Sequence, residues 1–110
     1  EMLPEIVEAV DGRAQIVVDG GFYRGSDVIK ALGLGADAVG VGRLEGLAMA
    51  AGGAPAVVRM LEILEHEMQI ALALLGRASL SELSPEILAE AMPVGPAHVK
   101  SAFPLLEEGY

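Results

Sequence analysis

Apolar residues along the first forty positions of the chain change between helical and strand-like spacing. Positions 3–10 place them on one side of a short helix. The run QIVVD at 15–19 is typical of a buried strand, a helix is predicted from the N-cap Ser26 to about position 32, and a second strand covers 38–41. This order, with short loops between the elements, is the pattern of parallel βα units.

The rest of the chain carries mainly helical patterns. A short helix is predicted over 44–51 and, after Gly52-Gly53, the longest helix over 56–75. The apolar residues of this helix recur at i, i+3 and i+4, namely Val57, Met60, Leu61, Leu64, Met68, Leu72 and Leu75. We interpret them as a face packed on a sheet. Three glutamates are placed mostly off that face, Glu62, Glu65 and Glu67. A further helix is predicted from Ser84-Pro85-Glu86, and 92–110 is predicted to be an extended C-terminal arm.

Two strands are too few for a parallel sheet, because such strands are buried on both faces and each needs neighbours. We therefore predict an α/β fold in which residues 1–91 form part of a larger sheet. The missing strands would come from another chain or from another part of the same polypeptide. The chain starts at Glu1 without an initiator methionine, and its first residues already have a helical pattern, so we expect the parent protein to extend upstream.

The composition supports a buried sheet and narrows the possible partners. Of the 110 residues, 53% are hydrophobic and 4% aromatic, with a mean hydropathy of +0.49, so the apolar content is mostly aliphatic. No continuous apolar run reaches the roughly 18–20 residues that cross a bilayer. The net charge of −9 argues against nucleic acid or an anionic membrane surface as a partner. With no cysteine, and with His66 and His98 far apart in sequence, no metal site is predicted.

Two glycine turns carry the candidate chemistry. The first, IVVDGGFYRG, contains Gly20-Gly21 and Arg24; the second, AVGVGR, contains Gly42-Arg43. Glycines let backbone N–H groups approach phosphate oxygens, arginine adds a fork of donors with a full charge, and a helix start points its positive end the same way. Asp19 at the strand end is suited to accept a hydrogen bond from a sugar or polyol hydroxyl. The pattern predicts an anion site, although such turns also occur only to reverse the chain.

The segment DGGFYRGSDVIKALGLGADAVGVGR resembles the hallmark of FMN-dependent α-hydroxy-acid oxidases and dehydrogenases, the family of glycolate oxidase, lactate oxidase and mandelate dehydrogenase. The likeness continues through GLAMAAGGAPAVVRMLEILEHEMQIALALLGRASLSEL and covers about 3–83. The family fold is a (β/α)₈ TIM barrel. The resemblance implies that this chain is its C-terminal portion, from helix six to helix eight plus the tail, completed by an N-terminal fragment or chain.

The resemblance also implies a cofactor and a set of binding residues. FMN would be held by Asp19, Gly20, Gly21, Tyr23, Arg24, Gly42 and Arg43. Tyr23 stands where the family commonly has the first of two consecutive arginines, and Leu44 stands where it commonly has proline. No catalytic residue is expected in this chain, because the family's histidine and arginine lie just upstream of Glu1. The implied substrate is a small 2-hydroxy acid that is oxidised to a 2-oxo acid.

Two alternatives differ in function class. One is a structural or regulatory subunit that keeps a vestigial phosphate site. The other is an FMN or nucleotide barrel of different chemistry, such as type 2 isopentenyl isomerase or IMP dehydrogenase, and the Gly42-Arg43 pair argues against the latter. The family resemblance further implies a homo-oligomer, tetrameric or larger, and a cytoplasmic location is predicted.

Overall fold

The computed structural model describes residues 2–91, so the predicted arm at 92–110 lies outside the described residues. In chain order the elements are α1 (Leu3–Val10), β1 (Val17–Asp19), α2 (Gly25–Gly33), β2 (Ala38–Gly40) and α3 (Gly42–Leu74), followed by single 3₁₀ turns at Leu80–Glu82 and Pro85–Ile87. The two strands pair in parallel, and α2 connects them. This part of the chain therefore confirms the predicted order of βα units.

The strand pair is fixed at its amino end by Asp37. The carboxylate of Asp37 accepts a hydrogen bond from the Ile16 N–H at 2.7 Å, and the Asp37 N–H donates to the Ile16 carbonyl at 2.8 Å. In the register that follows, Val17 lies opposite Ala38 and Asp19 opposite Gly40. Both strands are shorter than predicted, but they end at one edge, which sets the place of the two glycine turns.

The start of α2 differs from the prediction. The helix begins at Gly25, and Arg24 occupies the N-cap position with extended backbone, so the assignment of Ser26 as the N-cap is wrong. The physical reason is the carboxylate of Asp27, which accepts hydrogen bonds from the N–H groups of Tyr23 (3.2 Å) and Arg24 (3.0 Å). An acidic side chain in the first turn thus satisfies donors just before the helix, where a serine cap was expected.

The long helix α3 consists of two helical parts separated by a sharp kink. Gly52 and Gly53 have non-helical backbone, and Gly53 lies at φ 64° and ψ −154°, a region that is essentially restricted to glycine. Two residues later, Pro55 falls in the first turn of the second part, where proline is tolerated. The predicted separation of a short and a long helix at these glycines is confirmed.

The helix predicted from Ser84-Pro85-Glu86 is wrong beyond its first turn. The structure has one 3₁₀ turn, Pro85–Ile87, and the backbone of Leu88 is extended at φ −102° and ψ 142°. The local start signal is present, but the helix does not continue past that turn.

The core lies where α2 meets the strands and α3. A buried cluster of Phe22, Val28, Ala31 and Ala36 packs against partly buried residues that include Val18, Val39 and Met68. From α3, Met60 and Leu64 of the apolar stripe are buried as predicted, but the stripe packs on α2 and not on the strands, and its member Leu61 is 51% exposed, so its assignment as a sheet-packing face is wrong. The first turn of α2 therefore sits directly on the second part of α3.

Much apolar surface on the described residues remains exposed. Val17 of β1 is 64% exposed, and exposed apolar residues of α3 include Leu47, Met49, Val58, Leu61, Ile63, Ile70 and Leu74. By length and average composition alone, α3 is also apolar enough to cross a membrane, although charged residues interrupt it before any continuous apolar run of that length is reached. The backbone of α3 is interrupted by the kink at Gly52-Gly53, and Met60 and Leu64 of its second part are buried.

Candidate functional site

A cavity of about 360 Å³ opens at the carboxyl ends of the two strands. Its lining comes from both glycine turns and comprises Asp19, Gly20, Gly21, Phe22, Tyr23, Gly40, Val41, Gly42, Arg43 and Leu44. Six of the seven predicted site residues are thus brought together, and Arg24 is outside the lining. This is the edge at which ligands bind in open and barrel-shaped α/β folds.

The first turn presents bare backbone to the cavity. Gly20 and Gly21 have φ angles of 94° and 83°, which disfavour residues with a side chain. A Cβ atom added to Gly21 would have no other heavy atom within 4 Å, so the space beside it is open. The conformation that requires glycine therefore also leaves the peptide groups accessible to a ligand.

The second turn adds a cation and a helix start. A Cβ atom at Gly20 would lie 3.7 Å from Nη2 of Arg43, which shows that this guanidinium lies beside the first turn. Gly42 is the first residue of α3, and a Cβ atom there would meet open space. Since the amino end of a helix carries partial positive charge, Arg43 and the start of α3 both favour an anion at this place.

Asp19 and Tyr23 contribute polar groups to the same lining. The carboxylate of Asp19 leans across the end of β2, because a Cβ atom on Gly40 would come within 2.5 Å of Asp19 Oδ1. Tyr23 is half-buried, and its backbone is held by the bond to Asp27. The cavity thus combines one carboxylate, one phenol and one guanidinium.

Arg24 departs from the prediction that it shares a pocket with Arg43. Its Nε and Nη2 atoms lie 2.8 Å and 2.7 Å from Oε1 of Glu67, on the second part of α3. A carboxylate is the natural partner of a guanidinium, and here one from the neighbouring helix engages it. In this structure Arg24 ties α2 to α3 and does not face the cavity.

Glu67 is the functional candidate that the sequence reasoning missed. Its placement mostly off the apolar stripe is wrong, since it lies seven residues after Met60 and three after Leu64, the two buried residues of α3. A carboxylate at such a position needs a partner, because carboxylates are rarely buried unpaired. That spacing was the signal that could have identified it.

Comparisons of the chain with a family model and with known proteins point to the same family. The model of a family described as FMN-dependent dehydrogenase matches residues 1–90. An L-lactate oxidase from Nostoc sp. is 42% identical over 88 residues, which cover 80% of this chain and 24% of the relative. The 2-hydroxyacid oxidase 1 of Homo sapiens is 50% identical over 76 residues, covering 69% of this chain and 20% of the relative.

Solved structures agree with the sequence relatives. An active chimera of (S)-mandelate dehydrogenase superposes with a TM-score of 0.77 at 36% identity, over 82% of this chain and 25% of that one. A mandelate oxidase mutant with an FMN adduct gives a TM-score of 0.70 at 48% identity, over 73% of this chain and 26% of that one. The chain spans about a quarter of the length of the proteins it matches.

Proposed function

The chain belongs to the FMN-dependent dehydrogenase family, and on that premise we propose that it holds the phosphate of FMN within a barrel that oxidises a 2-hydroxy acid. The observation that carries the proposal is the position of the Arg43 guanidinium beside Gly20, in a cavity lined by both turns. Backbone N–H groups at a helix start and a guanidinium are both groups that favour binding of a doubly charged phosphate.

The residues of the cavity fit the group. Gly20 and Gly21 leave room for close approach of phosphate oxygens, and the start of α3 at Gly42 adds favourable partial charge. The volume of about 360 Å³ lies in the range, roughly 300–1,000 Å³, of small-molecule sites. Asp19 is an acceptor suited to a ribityl hydroxyl. Among the described residues that line the cavity, Arg43 supplies the positive side chain.

The proposed roles are divided between this chain and the preceding part of the barrel. Bound FMN would supply the hydride acceptor for oxidation of the 2-hydroxy acid at its α-carbon. We assign to this chain the binding and orientation of the cofactor's phosphate end by Arg43 and the two turns. The acid–base histidine and the carboxylate-binding arginine are assigned to the preceding part of the barrel, so no catalytic residue is placed here.

The exposed surfaces support a partner that completes the barrel. β1 and β2 form a two-stranded sheet in the described part of the chain, with Val17 largely exposed and apolar residues uncovered along α3. Further strands and helices of the same barrel, from an N-terminal fragment or chain, would cover them. We propose in addition a homo-oligomer and a cytoplasmic location for the complete protein.

The test is flavin affinity in the holoprotein that contains this chain. Arg43→Ala should raise the dissociation constant of FMN about tenfold or more, because a charge-assisted hydrogen bond is lost. Arg59→Ala is the matched control, since Arg59 pairs with Glu62 on α3 and is not part of the cavity lining. A preparation that stays colourless after incubation with FMN would contradict the proposal and favour a subunit with a vestigial site.

A further inference from the structure

We propose that Glu67 is a positioning residue for the phosphate cavity, although it is not part of the cavity lining. The inference rests on the proposed function, because it concerns the same phosphate. Glu67 uses its two oxygens on two different parts of the α2 start: Oε1 accepts from the guanidinium of Arg24, and Oε2 accepts from the Gly25 N–H at 2.7 Å. One carboxylate thus binds both a side chain and the backbone of the segment that follows the first glycine turn.

The contact is enforced by close packing. Gly25 is buried, and a Cβ atom there would lie 2.6 Å from both the Glu67 Cβ and the Leu64 carbonyl oxygen. The backbone of α2 therefore lies directly on α3, at a distance that only glycine permits. Glu67 sits at the centre of this contact, where its side chain is 23% exposed against 69% for Arg24.

The segment between the cavity and this contact is short and held on several sides. Phe22 is buried in the core, and the N–H groups of Tyr23 and Arg24 donate to Asp27. Gly20 and Gly21 have no side chains that could anchor them, so their position is set by β1 before them and by residues 22–25 after them. Fixing Gly25 to Glu67 therefore fixes the far end of the turn that faces Arg43.

Glu67 acts on the turn that faces Arg43, and not on Arg43 itself. Arg43 is the second residue of α3, before the kink at Gly52-Gly53, whereas Glu67 lies after the kink and reaches the first turn through Gly25. We therefore assign to Glu67 the distance between the Gly20-Gly21 backbone and the Arg43 guanidinium. Phosphate affinity depends on that distance, whereas affinity for the rest of the flavin does not.

The experiment compares the dissociation constants of FMN and riboflavin for the holoprotein stripped of flavin and rebound. Riboflavin lacks the phosphate, so the ratio of its dissociation constant to that of FMN measures the contribution of the phosphate to binding. Glu67→Gln should lower this ratio about tenfold, since it replaces a charge-assisted acceptor of Arg24 by a neutral amide. Glu62→Gln is the control. It removes a different ion pair of α3, between Glu62 and Arg59 at 2.9 Å, and should leave the ratio unchanged.

Other outcomes separate the proposals. A Glu67→Gln variant with lower thermal stability but an unchanged ratio would make Glu67 merely structural and overturn the inference. If Arg24 itself bound the phosphate, its release from Glu67 would leave the ratio unchanged or raise it, with the same consequence. Glu67→Asp is the variant to use if Glu67→Gln does not fold, because it keeps the charge but withdraws the carboxylate from Arg24 and Gly25 by one methylene group; it should lower the ratio several-fold, and an unchanged ratio would overturn the inference. Failure of Arg43→Ala to lower the ratio would instead refute the proposed function.

Discussion

Asp19 and Gly40 lie opposite each other at the last paired position of the two strands, and the carboxylate of Asp19 occupies the space that a side chain at position 40 would need. A Cβ atom on Gly40 would be 2.5 Å from Oδ1 and 2.8 Å from Cγ of Asp19. The absence of a side chain at one strand end thus determines where the carboxylate of the other strand points. The cavity depends on the residue pair and not on Asp19 alone.

Gly40→Ala should therefore displace the Asp19 side chain. We expect a loss of about 1–3 kcal/mol in the free energy of unfolding, the usual range for overpacking, and weaker FMN binding in the holoprotein. Urea denaturation and flavin fluorescence measure the two effects. Gly46→Ala is the control, because a Cβ atom there meets no heavy atom within 4 Å and the helix gains a better helix former. Equal behaviour of the two variants would contradict the pairing.

Gly25→Ala should lower the stability of the protein more than a substitution at its exposed neighbour Ser26. The added methyl group would collide with the Leu64 carbonyl oxygen and the Met68 nitrogen, at 2.6 Å and 2.7 Å, and backbone atoms cannot turn aside as a side chain can. We expect a destabilisation of about 3 kcal/mol, the upper end of overpacking effects. Thermal denaturation beside Ser26→Ala, an exposed residue of the same turn, provides the comparison. Similar melting temperatures would show that α2 can move off α3 at no cost.

Alanine at Gly20 and at Gly21 should separate conformational strain from ligand contact. Both residues have positive φ, so each substitution is expected to cost about 1–2 kcal/mol of stability. Gly20→Ala also places a methyl group 3.7 Å from Arg43 Nη2, whereas Gly21→Ala points into open space. Flavin titration should show the larger loss of FMN affinity for Gly20→Ala, with riboflavin affinity changed equally in both. The reverse order would place the anion on the other side of the turn.

An intact-mass spectrum of the native preparation should show more than this chain alone. In the described part of the chain, the strands have open edges and α3 has exposed apolar residues, so we expect a protein mass that includes the rest of the proposed barrel, as a second chain or as one continuous polypeptide, together with FMN. Denaturing conditions should release the flavin and any second chain, which serves as the control. A flavin-free species of 11.4 kDa in the native spectrum would contradict the proposed assembly.

Much of the fold could be predicted because its signals are local. Helical spacing gives α1, the β-branched run gives β1, and Gly52-Gly53 gives the break in α3. The start of α2 could not be placed correctly from Ser26, because the donors before the helix are satisfied by Asp27 from within the first turn. Several residues near a helix end can act as its cap, and which of them does so depends on contacts that the sequence alone does not show.

The candidate site divides in the same way. Arg43 and Gly20 could be predicted to meet, because the carboxyl ends of adjacent parallel strands share one edge of the sheet. The direction of the Arg24 side chain could not be predicted, because its partner Glu67 is 43 residues further along the chain. A pairing between two helices depends on their crossing, and the periodicity of one helix shows only that Glu67 requires a partner.

The kink at Gly53 has a mechanical consequence. The ten residues of α3 before the kink span about 15 Å. If the helix were straight, a tilt of ~10° along its axis would therefore displace Gly42 by about 3 Å. Since the axis is interrupted at Gly52-Gly53, a tilt of the second part of α3 is not carried along one axis to Arg43. We therefore expect substitutions on the solvent side of the second part, away from α2, to leave the position of Arg43 unchanged.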